Sequence, residues 1–416
     1  MEDGICWGPR PDGKQPLALR AAPAGMSRSR RPEARRAARE ELEEEPVMKI
    51  TSVRTHAIAI PHDHGGPPTG FGGSSWPSLN ILLVEVATES GLVGWGEAFS
   101  YGCMAAVKML VDRTLAPFLA GQDASDVAGL SYRMQRSMHL FGRYGITTFG
   151  ISGVDIALWD IAGKAAGLPL RRLLGGPAEV APLPGYASLL KYRDPELVAK
   201  FAKEAVASGY PAIKLHETGF EEACAAREIL GPEVPICLDT NCPWTPRQAH
   251  EEARRLAELD LHWLEEPIFP PEDFRALARL RRAGKLPLAA GENACTAFQF
   301  QQMFEAGAVD FAQPSVTKVG GVSEFLKICT LAETHDVTVV PHCPYFGPGW
   351  LATLQVLSAM PHPGWVERFY TKLEATLYPG FTDPDRQGRF GVPDGPGLGM
   401  EPDPGVIAHY AVDPCA

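Results

Sequence analysis

The sequence lacks the features of a membrane protein, a disulfide-stabilised protein and a nucleic-acid-binding protein. No apolar run reaches the roughly 18 residues that a membrane span needs, and the amino-terminal region holds no apolar signal segment. The nine cysteines form no CxxC pair, a pattern that favours a reduced, cytoplasmic protein. The net charge of −11 argues against nucleic acid as the main partner, because phosphate binding needs a basic surface.

The composition that remains is that of an ordinary globular protein. The chain has 416 residues, of which 45% are hydrophobic and 21% are charged, and this length suits two domains. Residues 1–47 differ from the rest, with a basic run at 28–39 and an acidic run at 40–45. We expect a disordered extension there; an arginine-rich arm that touches nucleic acid and a transit peptide are the alternatives. The folded pattern begins at Met48.

The region after Met48 has the pattern of an α+β domain. Strand-like alternation occurs at residues 50–60, 80–88 and 92–97. Helical periodicity follows at residues 104–118, 126–140 and 147–166. The Gly-Leu-Pro sequence at 167–169 is typical of a helix end.

A long loop separates the first two predicted strands. Residues 61–78 are rich in Gly, Pro and His and carry the aromatic residues Phe71 and Trp76. Loops of this length without regular structure are usually functional or disordered. We therefore keep two interpretations, a lid whose aromatic side chains close over a ligand and a plain surface loop.

From Val180 onward the pattern alternates between strand and helix. Eight strand ends fall near Ser188, His216, Asp239, Glu265, Glu292, Ser315, His342 and Glu367. The acidic residues among them recur at a spacing close to the ~30 residues of one strand–helix unit in a barrel. The sequence therefore predicts a (β/α) barrel, in which the carboxyl ends of all strands face one shared mouth.

Three consecutive strand ends carry a carboxylate. Asp239, Glu265 and Glu292 offer hard oxygen ligands and lack the Cys/His mixture that zinc prefers, so they suit Mg²⁺ or Mn²⁺. A single strand-end carboxylate is more often a salt-bridge partner. Three in register at successive strand ends favour a divalent-metal site.

Basic side chains accompany the acids. Lys214 and His216 are two residues apart on one strand, so their side chains leave the same face. A substrate carboxylate between Lys214 and His216 would explain why two bases lie beside a cation. A nearby metal and ammonium should lower the pKa of Lys214 or His216 towards about 7, where a general base works best. The alternative is a Lys–His pair that bridges to Glu217 at the barrel rim. His342 stands nearly opposite, where a second base could reach the other face of the same carbon.

The motifs at these positions resemble those of the enolase superfamily, and within it the mandelate racemase-like group. They are Asp239-Thr-Asn241, Trp263-Leu-Glu265-Glu266-Pro267, Gly291-Glu292-Asn293, Lys318-Val-Gly320-Gly321 and the helical sequence from Ser152 to Lys164. The resemblance spans residues 48 to about 410. It implies an α+β capping domain over a modified (β/α)₈ TIM-like barrel, with Mg²⁺ on Asp239, Glu265 and Glu292.

This resemblance also implies domain limits and residue roles. We expect a capping domain at 48–177, the barrel with its metal site at 178–375, and a segment at 376–416 that packs back on the capping domain. Lys214 and His216 stand where the family has its second-strand pair of bases, and His342 matches the seventh-strand histidine. Glu367 matches the eighth-strand glutamate, which could share a hydrogen bond with an enolate oxygen if it is protonated.

One position departs from the racemase pattern. In the racemase, an Asp on the sixth strand hydrogen-bonds the seventh-strand histidine, and Ser315 occupies that position here. A serine cannot stabilise an imidazolium by charge, so His342 should be a weaker base than in an Asp–His pair. This moves the expectation from racemisation towards elimination.

The resemblance thus predicts a Mg²⁺-dependent lyase or isomerase of carbohydrate acid catabolism. It would remove the α-proton of a sugar-derived carboxylate through an enediolate and then eliminate the β-oxygen, as an acid-sugar dehydratase or an anhydro-sugar-acid or lactone cycloisomerase. The alternatives are a racemase or epimerase of a 2-hydroxy or amino acid derivative and a non-catalytic metal-binding barrel. We expect a homo-oligomer without membrane partners. The residues expected to contact substrate are Trp76, Tyr186, Asn241 and Ser315, together with Ser188, Tyr345 and Phe346.

Overall fold

The computed structural model describes residues 48–68 and 75–414. The predicted extension at 1–47 and the loop residue Phe71 lie outside this part of the chain. Within the described ranges, no helix combines the length and the apolar character that crossing a membrane requires.

The first domain is built on an antiparallel sheet with β2 at its centre. Its strands are β1 (Ile50–Asp63), β2 (Ser78–Thr88) and β3 (Val93–Ala98). The helices are α1 (Met104–Leu110), α2 (Ala116–Leu119), α3 (Val127–Ser137), α4 (Ile146–Ala166) and α5 (Leu170–Leu173). The π-helical turn Val111–Leu115 joins α1 to α2, so the predicted helix at 104–118 is confirmed with one wider turn.

Helix α4 lies directly against the backbone of β3. A Cβ atom at Gly96 would fall 1.8 Å from the Gly153 oxygen, and one at Gly94 would fall 2.1 Å from the Ala157 oxygen. Only glycine permits this close approach. The helix then ends at Gly167 in the left-handed conformation, as the Gly-Leu-Pro sequence predicts.

The barrel strands form one parallel sheet that follows chain order. They are β4 (Leu183–Leu189), β5 (Ile213–Leu215), β6 (Ile236–Asp239), β7 (Trp263–Glu265), β8 (Leu288–Ala290), β9 (Phe311–Ala312), β10 (Thr338–Val339) and β11 (Val366–Phe369). Strand β11 pairs with β4, not with β10. A Cβ atom at Gly364 would lie 2.2 Å from the Val339 oxygen, so the two open edges of the sheet still meet at this point.

Seven helices connect the eight strands. They are α6 (Pro195–Ala207), α7 (Phe220–Leu230), α8 (Pro246–Leu256), α9 (Phe274–Arg282), α10 (Thr296–Glu305), α11 (Gly321–Thr334) and α12 (Pro348–Ala359). The predicted barrel is confirmed, and it is modified at its end: instead of an eighth helix, β12 (Lys372–Leu373) pairs with β1 of the first domain.

The carboxyl-terminal segment holds the two parts together. Its strand β13 (Arg389–Phe390) pairs with β4, and its helix α13 (Pro404–His409) leads to Ala411, which forms a bridge with Ile58. The Leu398 amide donates a 2.7 Å hydrogen bond to Asp160 on α4. The proposed boundaries at 177 and 375 stay a prediction.

A buried carboxylate also links the first domain to the barrel. Glu97, on β3, accepts a 2.9 Å hydrogen bond from the Gly349 amide in the first turn of α12. A Cβ atom at Gly347 would lie 2.7 Å from the same carboxylate oxygen, so the loop before α12 needs glycine to approach it. Burial raises the pKa of Glu97 to about 7, although the Gly349 and Gly347 amides act in the opposite direction.

We expect Glu97→Gln to change how stability depends on pH. Because the pKa of Glu97 is raised in the folded state, the folded protein keeps a proton that the unfolded chain loses, and stability falls as the pH rises towards 7. A glutamine cannot ionise. The free energy of unfolding of the variant relative to the natural protein should therefore increase between pH 5 and 7, by up to about 1.4 kcal/mol per pH unit.

Urea denaturation at pH 5, 6 and 7 measures this difference. Glu89→Gln on the same hairpin is the control, because Glu89 is exposed and its change should leave the difference constant with pH. Parallel stability curves for Glu97→Gln and the natural protein would contradict the prediction.

Candidate active site

Three carboxylates meet at the carboxyl ends of consecutive barrel strands. Asp239 and Glu265 end β6 and β7 and are paired in register, and Glu292 follows β8. One oxygen from each lies within 4.8 Å of the other two. The structure thus brings together the three predicted ligands. Their oxygen-only donor set fits Mg²⁺.

Neighbouring groups fix the orientation of two of these carboxylates. The Trp263 indole donates a 2.9 Å hydrogen bond to Glu265 Oε2. The backbone amide of Asn241 donates a 2.9 Å hydrogen bond to Asp239 Oδ1. In both cases one oxygen is held by this neighbour and the other faces Lys214. Asn241 adopts a positive φ of 53° in doing so. The predicted contact of its side chain with substrate stays a prediction.

Burial makes the negative charge of this cluster costly. Desolvation and the adjacent Asp239 together raise the pKa of Glu265 well above its ordinary value. Burial acts the same way on Asp239, but Lys214 and His216 overcome it and leave the pKa of Asp239 lowered. The cluster therefore favours any cation that can enter it.

Lys214 is the cation that the chain itself supplies. Its fully buried Nζ lies 2.7 Å from Glu367 Oε1, 2.9 Å from Glu265 Oε1 and 3.4 Å from Asp239 Oδ2. Burial alone would lower the pKa of Lys214, but the carboxylates outweigh it and raise the pKa well above its ordinary value. The surrounding carboxylates therefore favour the ammonium form of Lys214, and the lowering of its pKa by a bound metal, expected from the sequence, stays a prediction.

His216 faces two different acceptors. Its Nδ1 lies 2.7 Å from the Leu189 carbonyl oxygen, and its Nε2 lies 3.3 Å from Asp239 Oδ2. A carbonyl can only accept a hydrogen bond, so Nδ1 carries a proton in every charge state of the ring. The nitrogen that can gain or lose a proton is Nε2, which faces the carboxylate cluster.

Glu367 lies between Lys214 and the first barrel strand. Its Oε1 also accepts a 2.8 Å hydrogen bond from Ser188, and its Oε2 accepts one of 3.3 Å from the Cys343 amide. Burial raises the pKa of Glu367, but Lys214 reverses this and lowers it overall. The Lys214 ammonium therefore favours the carboxylate form of Glu367, and a protonated Glu367 that shares a hydrogen bond with an enolate oxygen stays a prediction.

His342 stands on the opposite side, against the third carboxylate. Its Nε2 lies 3.0 Å from Glu292 Oε2. Its Nδ1 faces two hydroxyls, Tyr345 at 3.2 Å and Ser315 at 3.4 Å, and these two also hydrogen-bond each other. Ser315 therefore contacts His342 Nδ1, and its correspondence with the racemase Asp stays a prediction. Tyr345, which the sequence suggests only as a substrate contact, also contacts His342.

The first domain contributes aromatic rings near His216. The Trp76 ring is 4.8 Å from that of Tyr101 and 5.9 Å from that of Phe369, whose ring is 6.1 Å from His216. Trp76 therefore reaches the neighbourhood of the site through Phe369. The lid interpretation stays a prediction, since residues 69–74 lie outside the described chain.

Tyr186 lies deeper than predicted for a residue that contacts substrate. It is fully buried in the inner layer of the barrel, with its ring 5.7 Å from that of Trp263. Among the described residues its hydroxyl has no hydrogen-bond partner. Its predicted contact with substrate stays a prediction.

Comparisons with known proteins match both parts of the chain. Residues 68–175 match the model of the mandelate racemase / muconate lactonizing enzyme N-terminal domain, and residues 197–406 match that of the enolase C-terminal domain-like family. An arabinonate dehydratase of Saccharolobus solfataricus is 35% identical over 80% of this chain and 91% of its own. A 3,6-anhydro-alpha-L-galactonate cycloisomerase of Streptomyces coelicolor is 32% identical over 87% and 99%.

A solved structure of the superfamily is also similar to this chain. A racemase from Streptomyces coelicolor A3(2), with bound magnesium, has a TM-score of 0.76 and 31% identity, and the similarity covers 87% of this chain and all of that one (100%).

We expect Mg²⁺ to stabilise the protein and Glu292→Gln to remove that effect. A ligand that binds only the folded state raises stability in proportion to the logarithm of its concentration, and three converging carboxylates supply the affinity. The thermal midpoint should rise as MgCl₂ is added at constant ionic strength, and the rise should be at least halved in the variant.

Glu266→Gln is the matched control. Glu266 lies next to a ligand and is buried, and burial together with Glu292 and Asp239 raises its pKa to about 8. The glutamine therefore resembles its neutral form, and the Mg²⁺ effect should remain. An equal Mg²⁺ effect in Glu292→Gln and the natural protein would contradict the assignment.

Proposed function

The chain belongs to the mandelate racemase and muconate lactonizing enzyme family of the enolase superfamily, and we propose that it removes the α-proton of a sugar-derived carboxylate and then expels the β-oxygen. His216 carries this proposal. The carbonyl at its Nδ1 leaves Nε2 as the nitrogen that exchanges protons, and Nε2 faces the carboxylate cluster. A base in this position can reach the α-carbon of an acid held there.

The other groups of the site would hold the substrate and its developing charge. Mg²⁺, held by Asp239, Glu265 and Glu292, would bind the substrate carboxylate and stabilise the negative charge that develops on it. Lys214 donates to an oxygen of the same carboxylate from a fixed position, because Glu367 and Glu265 orient its ammonium. Lys214 is thus an electrostatic residue, and His216 is the base.

In the second step, the loss of the β-oxygen, the acting residue is His342 on the opposite side of the site. His342 faces the mouth through Nε2 and gives a proton to the departing β-oxygen. If that oxygen leaves as water, the product is a 2-keto-3-deoxy acid, as the name arabinonate dehydratase implies for one relative. If it belongs to a ring ether, the ring opens, as the name of the cycloisomerase relative implies.

The sequence also leaves two alternatives, a racemase or epimerase and a non-catalytic metal-binding barrel. A racemase needs His342 as a second base, and one structural neighbour carries the name racemase. The hydroxyl contacts of His342 Nδ1 favour elimination over this alternative. The non-catalytic barrel is not retained, because the chain is an enzyme of this superfamily.

A panel of acid sugars and their anhydro forms, incubated with Mg²⁺ in D₂O, tests the proposal. We expect one of them to yield a 2-keto-3-deoxy acid or a ring-opened acid. Recovered substrate that is inverted and carries deuterium at the α-carbon would instead show racemisation and would contradict elimination as the main activity.

We expect His216→Asn to lower turnover of the active compound by about 10²–10⁴-fold, the usual contribution of a general base. His262→Asn is the matched control: this half-buried histidine stacks on Trp365 away from the carboxylates, and its change should leave turnover within about threefold. Comparable activity of the two variants would exclude His216 as the base.

A further inference from the structure

A cavity of about 830 Å³ lies between helix α6 and the chain that follows β11. This volume falls within the ~300–1,000 Å³ that is usual for small-molecule sites. In the described chain no helix lies between β11 and β12, so the outer side of β11 lacks the cover that a following helix gives the other strands. The carboxylates proposed to hold Mg²⁺ do not line this cavity, and neither do Lys214 and His216. It is therefore separate from the candidate active site.

Arg368 brings a buried charge to this cavity. Successive residues of a strand face opposite sides, and Glu367 contacts Lys214 inside the barrel, so Arg368 points outward, where it lines the cavity. It is only 3% exposed. Its guanidinium lies 3.7 Å from the centre of the Phe346 ring, and its Nη1 donates a 2.9 Å hydrogen bond to the Tyr345 carbonyl. An aromatic face and a carbonyl thus fix the group without neutralising its charge.

The charge of Arg368 has no close partner of opposite sign. The guanidinium forms no ion pair with any carboxylate of the described residues. Burial lowers its pKa to about 10, and the nearby Tyr210 and Asp383 oppose this only in part, so the group is still a cation at neutral pH. An unpaired buried charge is costly, and a guanidinium has five N–H donors in an arrangement that matches a carboxylate. The cavity therefore favours an anionic ligand.

The remaining lining selects the kind of anion. Tyr210 is buried near Arg368 and offers a phenol hydroxyl, and Phe369 offers an apolar ring. The charged residues that line the cavity and are exposed are Asp63, Glu204, Lys372, Glu374 and Asp383. Four of these five are acids, which repel a bare anion but accept hydrogen bonds from hydroxyl groups. A ligand with one carboxylate and several hydroxyls fits both parts of the lining.

We propose that this cavity is a second binding site, for a hydroxylated organic acid of the sugar-acid class, whose carboxylate pairs with Arg368. The Tyr210 hydroxyl assists at the same end, and the exposed acids accept hydrogen bonds from the hydroxyls of the ligand. Phe369 lines the cavity, and its ring lies 6.1 Å from that of His216. An occupant of the cavity therefore contacts a residue that also borders the active site.

Isothermal titration of sodium D-gluconate into the full-length protein tests this proposal. Metal is first removed with EDTA and dialysis, so that no Mg²⁺ in the carboxylate cluster attracts the acid. We expect saturable binding of one equivalent, and binding about tenfold weaker or more in Arg368→Gln, the usual effect of losing hydrogen bonds to a charged group. D-Glucose, which lacks the carboxylate, and succinate, which lacks the hydroxyls, should each bind about tenfold more weakly or worse than gluconate.

Arg386→Gln is the matched control. Arg386 is exposed and lies outside the cavity, so gluconate affinity in this variant should stay within about twofold of the natural value. If Arg368→Gln does not fold, Tyr210→Phe removes a single hydroxyl from the cavity and should weaken gluconate binding about threefold or more.

Three results would overturn the proposal. They are no binding of gluconate to the natural protein, succinate binding as tightly as gluconate, and a loss of binding in His216→Asn that Arg368→Gln does not share, which would place the acid in the active site. The titration measures no turnover. An absence of turnover on every acid sugar would therefore refute the proposed function and leave this second site to be judged on its own.

Discussion

The structure depends on concentrating four carboxylates around one ammonium inside a barrel. Lys214 touches Glu367, Glu265 and Asp239 and is itself fully buried, and Glu292 completes the set of acids from the next strand end. One positive charge does not balance this cluster, and burial makes the imbalance costly. A further cation would therefore stabilise the site. Donors of the chain, such as the Trp263 indole and the backbone amide of Asn241, hold the acids in place.

The barrel creates this proximity through register. Parallel pairing places Asp239 opposite Glu265 and Ser188 opposite Lys214, so residues far apart in sequence share one level of the barrel. Below that level lie apolar and aromatic side chains, Trp263 among them, which exclude water and so strengthen every charge above. In the described chain no helix lies between β11 and β12, and β12 pairs with β1. The Trp76 ring contacts the rings of Tyr101 and of Phe369 at the end of β11.

The sequence predicts the parts of the site that depend on strand register. Asp239, Glu265, Glu292 and His342 end strands or follow them closely, and period and spacing along the chain locate them. The charge states could not be predicted in this way. The lowered pKa of Glu367 and the raised pKa of Lys214 depend on three distances across the barrel, and a sequence does not encode which carboxylate lies closest to an ammonium. The contact of Tyr345 with His342 could not be predicted for a similar reason, because a loop after a strand can turn in any direction.

The contrast between the two histidines explains how one residue change could alter the outcome of a shared chemistry. Each ring points Nε2 at one carboxylate of the cluster, His216 at Asp239 and His342 at Glu292, and the group at Nδ1 also differs. A group that only accepts makes Nε2 a site for taking protons, and a group that can donate lets Nε2 hold one. The replacement of an Asp by Ser315 therefore removes more than a charge. A carboxylate at this position would hold a proton on Nδ1 of His342, whereas the hydroxyls of Ser315 and Tyr345 can donate or accept there.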